Sequence, residues 1–225
     1  MTVNDFINQI EQALVDKRHV QNAKQMEAYL KQKFIFYGLK APVRKEIFKR
    51  LWTDHKEFIK INWKPLSLAL WQKDQREYQY ITIDMLSKVE KKLDAEDIID
   101  IEFMITHKSW WDTVDFLASH CIGQILKKDK ELMYEKADSY INSSDMWLQR
   151  TGIIFQLFYK EKTDKDLLFA QLESSIGGKE FFINKAIGWA LRQYSRVNPT
   201  AVAEFIDINR SKMANLSIKE GSKYL

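Results

Sequence analysis

Three residues spaced 39 positions apart, Trp111, Arg150 and Trp189, lie in three segments of similar character. The segments read WWDTVDFLASHCIGQIL, MWLQRTGIIFQLFY and FFINKAIGWALRQY, and each is apolar on one side with tryptophan and a charged group on the other. A further helical pattern precedes each segment. A period near 40 residues with two helices per unit is typical of HEAT and armadillo repeats. The spacing predicts stacked helix pairs that form a curved solenoid, with the second helices lining its concave face.

The scarcity of turn-forming residues favours an all-α fold. Among 225 residues there are seven glycines and three prolines, whereas hairpins need glycine for positive φ angles. Each proline opens a helical pattern, in the first turn, where its missing N–H costs nothing. Beyond the N-terminal patterns, periodicity predicts helices near 77–92, 95–107, 110–127, 130–142, 146–161, 164–175, 180–197 and 217–223. We expect one all-α domain over residues 1–225, built from about six HEAT-like helix pairs.

Charge and cysteine content restrict the classes of partner and compartment. The net charge of +4 permits a polyanionic partner without requiring one. The single cysteine, Cys121, lies among apolar residues, which predicts a buried thiol in a reducing compartment. The four histidines show no metal-ligand spacing and no CxxC is present, so we expect no metal. No apolar run approaches the roughly 20 residues of a membrane span, so we expect a cytoplasmic protein without a membrane partner.

The repeat spacing also predicts a ligand site. If equivalent helices face the same concavity, four side chains share one surface: Trp111, Asp115, Arg150 and Trp189. Arg192 joins them, because it lies three residues after Trp189 on the same helix. Arginines bind phosphate oxygens through charge-assisted hydrogen bonds, and tryptophan faces attract cations. Such a groove suits a nucleic acid that carries a positively charged, alkylated base.

These segments resemble the AlkD-type bacterial DNA glycosylases, HEAT-like repeat proteins that excise alkylated bases. The resemblance covers nearly the whole chain and is densest in ITHKSWWDTVD, WLQR and EFFINKAIGWALRQY, with FYGLKAPVRK near the N-terminus. It implies that Asp115 is catalytic and that Trp111 and Trp189 flank the lesion nucleotide.

The same resemblance implies how DNA is bound. Arg150 matches an arginine that contacts the DNA backbone at the lesion, and Arg192 is a weaker match to a further backbone contact. Tyr29, in MEAYLKQKF, matches a tyrosine on an N-terminal helix beside the DNA. Phe158 departs from the pattern, because some relatives carry a basic residue there.

The resemblance further implies a reaction. A monomer excises N3- and N7-alkylated purines from duplex DNA without flipping the base and without a cofactor. A fixed carboxylate near the sugar stabilises an oxocarbenium-like transition state more than the ground state.

Other interpretations of these residues stand beside the enzyme hypothesis. Asp115 alone is compatible with a solvated helix face, and we expect Asp112 to cap its helix or hydrogen-bond nearby backbone. Trp110 and Trp147 are interpreted as packing residues. The alternative function is a non-catalytic HEAT-like module that binds damaged or branched DNA or a protein. The joint presence of the aspartate, the arginine and the aromatic residues favours the enzyme.

Overall fold

The computed structural model describes residues 1–225 and contains helices without any β-strand, as the all-α prediction requires. The chain divides into two compact units, Met1–Lys92 and Leu93–Leu225. The prediction of a single domain over the whole chain stays a prediction. No helix combines the length and the apolarity that crossing a membrane requires.

The first unit contains four helices. They are α1 (Val3–Val15), α2 (Val20–Tyr29), α3 (Ala41–Gln72) and α4 (Arg76–Val89). Phe6, Ile10 and Leu14 recur at helical spacing in α1 and are buried in the core shared with α3 and α4.

Two features of the first unit set the bounds of its helices. The helical pattern that includes Tyr29 ends there, because Lys31 and Gln32 both adopt φ 58 and leave the helical region. The long helix α3 is interrupted at His55 and Asn62. The second interruption places Pro65 in the first turn of the following helical stretch, where its missing N–H is tolerated.

The second unit contains the remaining helices. They are α5 (Ile98–Thr106), α6 (Trp111–Phe116), α7 (Gly123–Leu126), α8 (Lys130–Ile141), α9 (Met146–Ile154), α10 (Lys165–Ser175), α11 (Phe181–Tyr194), α12 (Pro199–Asn209) and α13 (Asn215–Gly221). A π-helical segment, Leu117–Ile122, joins α6 to α7. Successive helices pair, α8 with α9 and α10 with α11, and the second helices α6, α9 and α11 contact one another in sequence. The predicted helix pairs are therefore present in this unit.

The helix predicted for 146–161 is shorter than expected. It ends at Ile154, and a single 3₁₀ turn, Lys160–Lys162, follows, in which Lys160 adopts φ 55. Beyond the end of α9, the buried Tyr159 hydroxyl donates a hydrogen bond of 2.6 Å to the Gly123 carbonyl, which anchors this non-α-helical segment to the start of α7.

An aromatic cluster ties the first turns of the three second helices together. Trp110 immediately precedes α6, whereas Trp147 and Phe182 are the second residues of α9 and α11. Their ring centroids lie 5.7 Å (Trp110–Trp147), 5.1 Å (Trp110–Phe182) and 5.0 Å (Trp147–Phe182) apart. Aromatic pairs at these separations contribute about 0.5–1.5 kcal/mol each beyond the area that they bury. The packing role predicted for both tryptophans agrees with this arrangement.

Helix α13 approaches α11 closely at Gly188. A Cβ atom at this position would lie 2.6 Å from the Glu220 Cβ and 3.0 Å from the Ser217 carbonyl oxygen. The Ser217 hydroxyl also donates a 2.8 Å hydrogen bond to the Asn184 carbonyl. Glycine is therefore required sterically, and it allows α13 to lie against the helix that contributes most to the site described below.

Replacing Gly188 by alanine should destabilise the protein by about 1–3 kcal/mol, because the added methyl group forces α13 outward. The matched control is Gly178→Ala, since a Cβ at Gly178 meets nothing within 4 Å. We expect the control to leave stability unchanged or to raise it by up to about 1 kcal/mol. Urea unfolding of both variants measures the difference. Equal stability of the two variants would contradict the close contact.

Candidate active site

Eight side chains of the second unit line one pocket of about 340 Å³. They are Trp111, Asp115, Arg150, Phe181, Phe182, Lys185, Trp189 and Arg192. The five residues that the repeat spacing placed on one surface are all among them. They reach the pocket from α6, α9 and α11, the three second helices that the aromatic cluster ties together. Their individual roles stay predictions at this point.

A buried ion pair forms the polar centre of the pocket. Arg150 Nε donates to Asp115 Oδ1 at 2.7 Å, and Arg150 Nη2 donates to Asp115 Oδ2 at 2.9 Å. The remaining terminal nitrogen, Nη1, donates to the Phe182 carbonyl oxygen at 2.5 Å. This fork-like pairing fixes both the position and the plane of the carboxylate.

Exposure differs between the two partners of this ion pair. The side chain of Arg150 is 3% exposed, whereas that of Asp115 is 21% exposed. The carboxylate is therefore the partner that a ligand in the pocket can reach. A phosphate contact by Arg150 would have to compete with the ion pair. The predicted DNA contact of Arg150 stays a prediction, and the geometry adds a second task, which is to orient Asp115.

Opposing effects act on the ionisation of Asp115. Burial raises the pKa of its carboxyl group above the ordinary value, and the negative charge of Asp112 acts in the same direction. The hydrogen bonds and the positive charge of Arg150 oppose this rise in pKa. The charge of the carboxylate therefore depends on its arginine partner.

Aromatic rings form the walls beside the carboxylate. Trp111 and Trp189 are both partly buried, while Phe181 at the start of α11 is 57% exposed. Lys108 adopts φ 52 in the turn before α6, a left-handed conformation that is uncommon for lysine, and α6 begins three residues later at Trp111. Aromatic faces carry negative electrostatic potential, so these walls favour a cationic ligand.

Two cations complete the lining of the pocket. Arg192 and Lys185 both form ion pairs with Glu220 of α13. The predicted backbone contact of Arg192 is compatible with its 25% exposed side chain and stays a prediction.

Three other residues singled out in the sequence lie outside this pocket lining. Tyr29 belongs to the first unit, where it is the last residue of α2 and is 70% exposed. Of the two roles expected for Asp112, capping of α6 is wrong, because Trp110 occupies the N-cap. Asp112 lies in the first turn instead, where a negative charge is favoured. Phe158 is 42% exposed, and its ring centroid lies 4.8 Å from that of His120. No group of three His, Cys, Asp or Glu side chains is arranged to hold a metal ion.

Sequence reasoning missed four residues of this region: Phe181, Phe182, Lys185 and Glu220. Phe181 and Lys185 precede Trp189 at intervals of four residues, so helical spacing alone places them on the tryptophan's face. Phe182 also accepts the Arg150 hydrogen bond through its backbone carbonyl, and side-chain patterns do not reveal such a contact. Glu220 is brought to α11 by the packing of α13, which the sequence pattern did not reveal.

Comparison with known proteins defines the class to which this fold and site belong. The family described as DNA alkylation repair enzyme matches residues 10–225. The chain belongs to this family of repair enzymes, and its architecture is that of the AlkD-type helical proteins.

Solved structures include similar proteins. A predicted DNA alkylation repair enzyme from Enterococcus faecalis has 33% sequence identity and a TM-score of 0.83, with 92% of this chain and 96% of that chain covered. AlkD2 from Streptococcus mutans has 20% identity and a TM-score of 0.60, with 90% and 99% covered. The smu.31 protein from Streptococcus mutans UA159 has 18% identity and a TM-score of 0.60, with 82% and 96% covered. The latter two likenesses concern the fold alone. No curated protein matches the chain.

Replacing Arg150 by methionine should lower the free energy of unfolding by about 3 kcal/mol near neutral pH, because Asp115 is left charged and unpaired in its buried site. The loss should shrink as the pH falls. Without the arginine, the folded-state pKa of Asp115 rises further above its unfolded value, so proton uptake stabilises the folded variant more than the wild type.

Urea unfolding at a series of pH values tests this expectation. The control is Arg210→Met, which removes an exposed arginine from a surface pair with Asp207. That variant should lose less than about 1 kcal/mol. A loss at Arg150 that does not change with pH would show that Asp115 is not the group left uncompensated.

Proposed function

We propose that this protein is a DNA glycosylase that excises N3- and N7-alkylated purines from duplex DNA. Its membership of the repair family supports a reaction on alkylated DNA. The observation that carries the finer assignment is the partly exposed Asp115 carboxylate, held by Arg150 in a pocket walled by aromatic rings. This arrangement supplies a fixed negative charge where a substrate cation would lie.

The proposed chemistry begins with the substrate. Alkylation at N3 or N7 makes the purine cationic and weakens its glycosidic bond. When the bond between C1′ and the base nitrogen breaks, the electron pair stays with the base, which leaves neutral. Positive charge then develops on the deoxyribose. Water adds to C1′ and loses a proton to the surroundings, so the products are the free base and an abasic site.

Asp115 stabilises the charge that develops on the sugar. Its carboxylate is held in place before the reaction, so no reorganisation is needed as the bond breaks. Partial burial strengthens the attraction, because less water screens it than at an exposed site. Attraction that increases between ground state and transition state accelerates the chemical step.

The aromatic walls contribute in the same direction. Trp111 and Trp189 would flank the lesion nucleotide and attract positive charge on the base and on the sugar through their ring faces. Excision proceeds without base flipping, as in the AlkD-type proteins that the sequence resembles. Bases that carry no positive charge are poor leaving groups, and this restricts the reaction to alkylated purines.

The proposal also includes the DNA contacts, the oligomeric state, the compartment and the cofactor requirement. Arg192 and Tyr29 contact the DNA backbone, and Arg150 does so in addition to holding Asp115. The protein acts as a monomer in the cytoplasm on duplex DNA and needs no metal or organic cofactor.

One observation favours a second candidate, a non-catalytic module that binds damaged or branched DNA or a protein. Both carboxylate oxygens of Asp115 are already paired with Arg150. An ion pair of this kind accounts for the aspartate as a structural residue. The two candidates differ in whether base release requires the negative charge.

Asp115→Asn keeps the shape of the side chain and removes its charge. We expect single-turnover release of methylated bases to slow by roughly 100- to 1000-fold, the usual cost of losing one preorganised electrostatic partner. Binding of the same methylated duplex should change little. The control is Asp166→Asn, the same chemical change at an exposed position of α10 with an 89% exposed side chain. Its rate should equal that of the wild type.

The measurement is release of labelled bases from methylated duplex DNA, corrected for spontaneous release. Equal rates for the wild type and Asp115→Asn, both above the spontaneous rate, would remove Asp115 from the mechanism. A wild-type protein that binds the duplex but releases no base would instead identify the non-catalytic module.

A further inference from the structure

A buried carboxylate on α13 gathers three cations. Glu220 Oε1 accepts from Lys185 Nζ at 3.0 Å, and Oε2 accepts from Lys223 Nζ at 2.8 Å and from Arg192 Nη1. The Glu220 side chain is only 10% exposed. The mechanism proposed above makes no use of this carboxylate.

Two of the three cations line the pocket, and the third does not. Lys185 and Arg192 lie on one face of α11, two turns apart, and both line the pocket that contains Asp115. Lys223 follows α13 and is outside the pocket lining. Glu220 therefore bridges two pocket cations that come from one helix.

Both pocket cations retain donors for a ligand. The side chain of Lys185 is 40% exposed and that of Arg192 is 25% exposed. An ammonium group has three N–H donors and a guanidinium group has five, so the contacts with Glu220 leave several unused. Two cations with free donors at the edge of a pocket suit the oxygens of a phosphodiester.

The position of Glu220 is set by helix packing. The absence of a side chain at Gly188 allows α13 to approach α11, and the Ser217 hydroxyl donates to the Asn184 carbonyl at 2.8 Å. The close approach of α13 at Gly188 and the Ser217 hydrogen bond thus hold Glu220 against α11. Hydrogen bonds and charge from Lys223, the largest cause, and from Lys185 lower the pKa of its carboxyl group to about 2, so it stays ionised near neutral pH.

We propose that Glu220 is a positioning residue that holds Lys185 and Arg192 as a two-cation site for a DNA phosphodiester at the edge of the pocket. Like charges on one face of a helix repel each other, and the carboxylate that pairs with both of them offsets this repulsion. It also restricts two long side chains whose ordering would otherwise oppose binding. This inference rests on the proposed function, since the ligand is the DNA strand that enters the pocket.

The sign of the effect separates this role from simple electrostatics. Removing a negative charge beside a polyanion site should strengthen DNA binding through Coulomb attraction alone. Removing a residue that positions two phosphate-binding cations should weaken binding. The substitution Glu220→Gln therefore gives opposite results under the two explanations.

The experiment measures binding of an undamaged duplex oligonucleotide at salt concentrations between about 50 and 200 mM. We expect Glu220→Gln to bind about fivefold more weakly and to show a salt slope smaller by about one phosphate contact. The matched control is Glu204→Gln, the same change at an exposed position of α12 outside the pocket lining. The control should bind as well as the wild type or slightly better.

A double-mutant cycle tests whether Glu220 acts through Lys185. Lys185→Met should weaken binding by about fivefold in the wild-type background and by much less in the Glu220→Gln background. Equal costs in the two backgrounds would overturn the positioning role. If Glu220→Gln does not fold, the salt dependence of DNA binding by Lys185→Met tests the two-cation site instead. A salt slope equal to that of the wild type would contradict the site.

The outcomes distinguish this inference from the function on which it rests. If the wild type binds the duplex and Glu220→Gln binds it equally well or more tightly, the inference is overturned and the glycosylase proposal stays intact. Failure of the wild-type protein to bind duplex DNA overturns both.

Discussion

The paired hydrogen bonds between Arg150 and Asp115 are the interaction on which the site depends. They hold a carboxylate whose pKa burial raises, and they place it where one side remains reachable from the pocket. The third contact of the arginine, to the Phe182 carbonyl, connects this pair to the start of α11. A single guanidinium group thus links α6, α9 and α11 and supports the charge of the proposed catalytic group.

Packing around this ion pair explains how the two side chains are held in one fixed arrangement. Trp110, Trp147 and Phe182 fix the first turns of the three helices, so Asp115 and Arg150 project from elements that are already in register. The adjacent tryptophans of the WWD segment consequently have different tasks. Trp110 belongs to this packing cluster, whereas the next residue, Trp111, lines the pocket.

The sequence predicted most of the helices, their pairing in the second unit and five of the eight residues that line the pocket, because helical periodicity and a 39-residue repeat can both be read from residue spacing. It did not predict that Arg150 turns inward to Asp115, since an arginine on a helix face is equally compatible with binding phosphate. The part played by Glu220 was also inaccessible. It depends on tertiary packing at Gly188, and residue spacing does not encode such contacts between distant segments.

The central claim is that Arg150 keeps the Asp115 carboxylate ionised for the departure of a cationic base. The most direct test is the pH dependence of single-turnover base release by the wild type and by Arg150→Met, corrected for spontaneous release. The wild-type rate should fall with decreasing pH at a midpoint above 3.8, since burial raises the pKa of Asp115 from that value. The midpoint should lie at still higher pH in the variant. Coinciding midpoints, or a lower midpoint in the variant, would contradict the account.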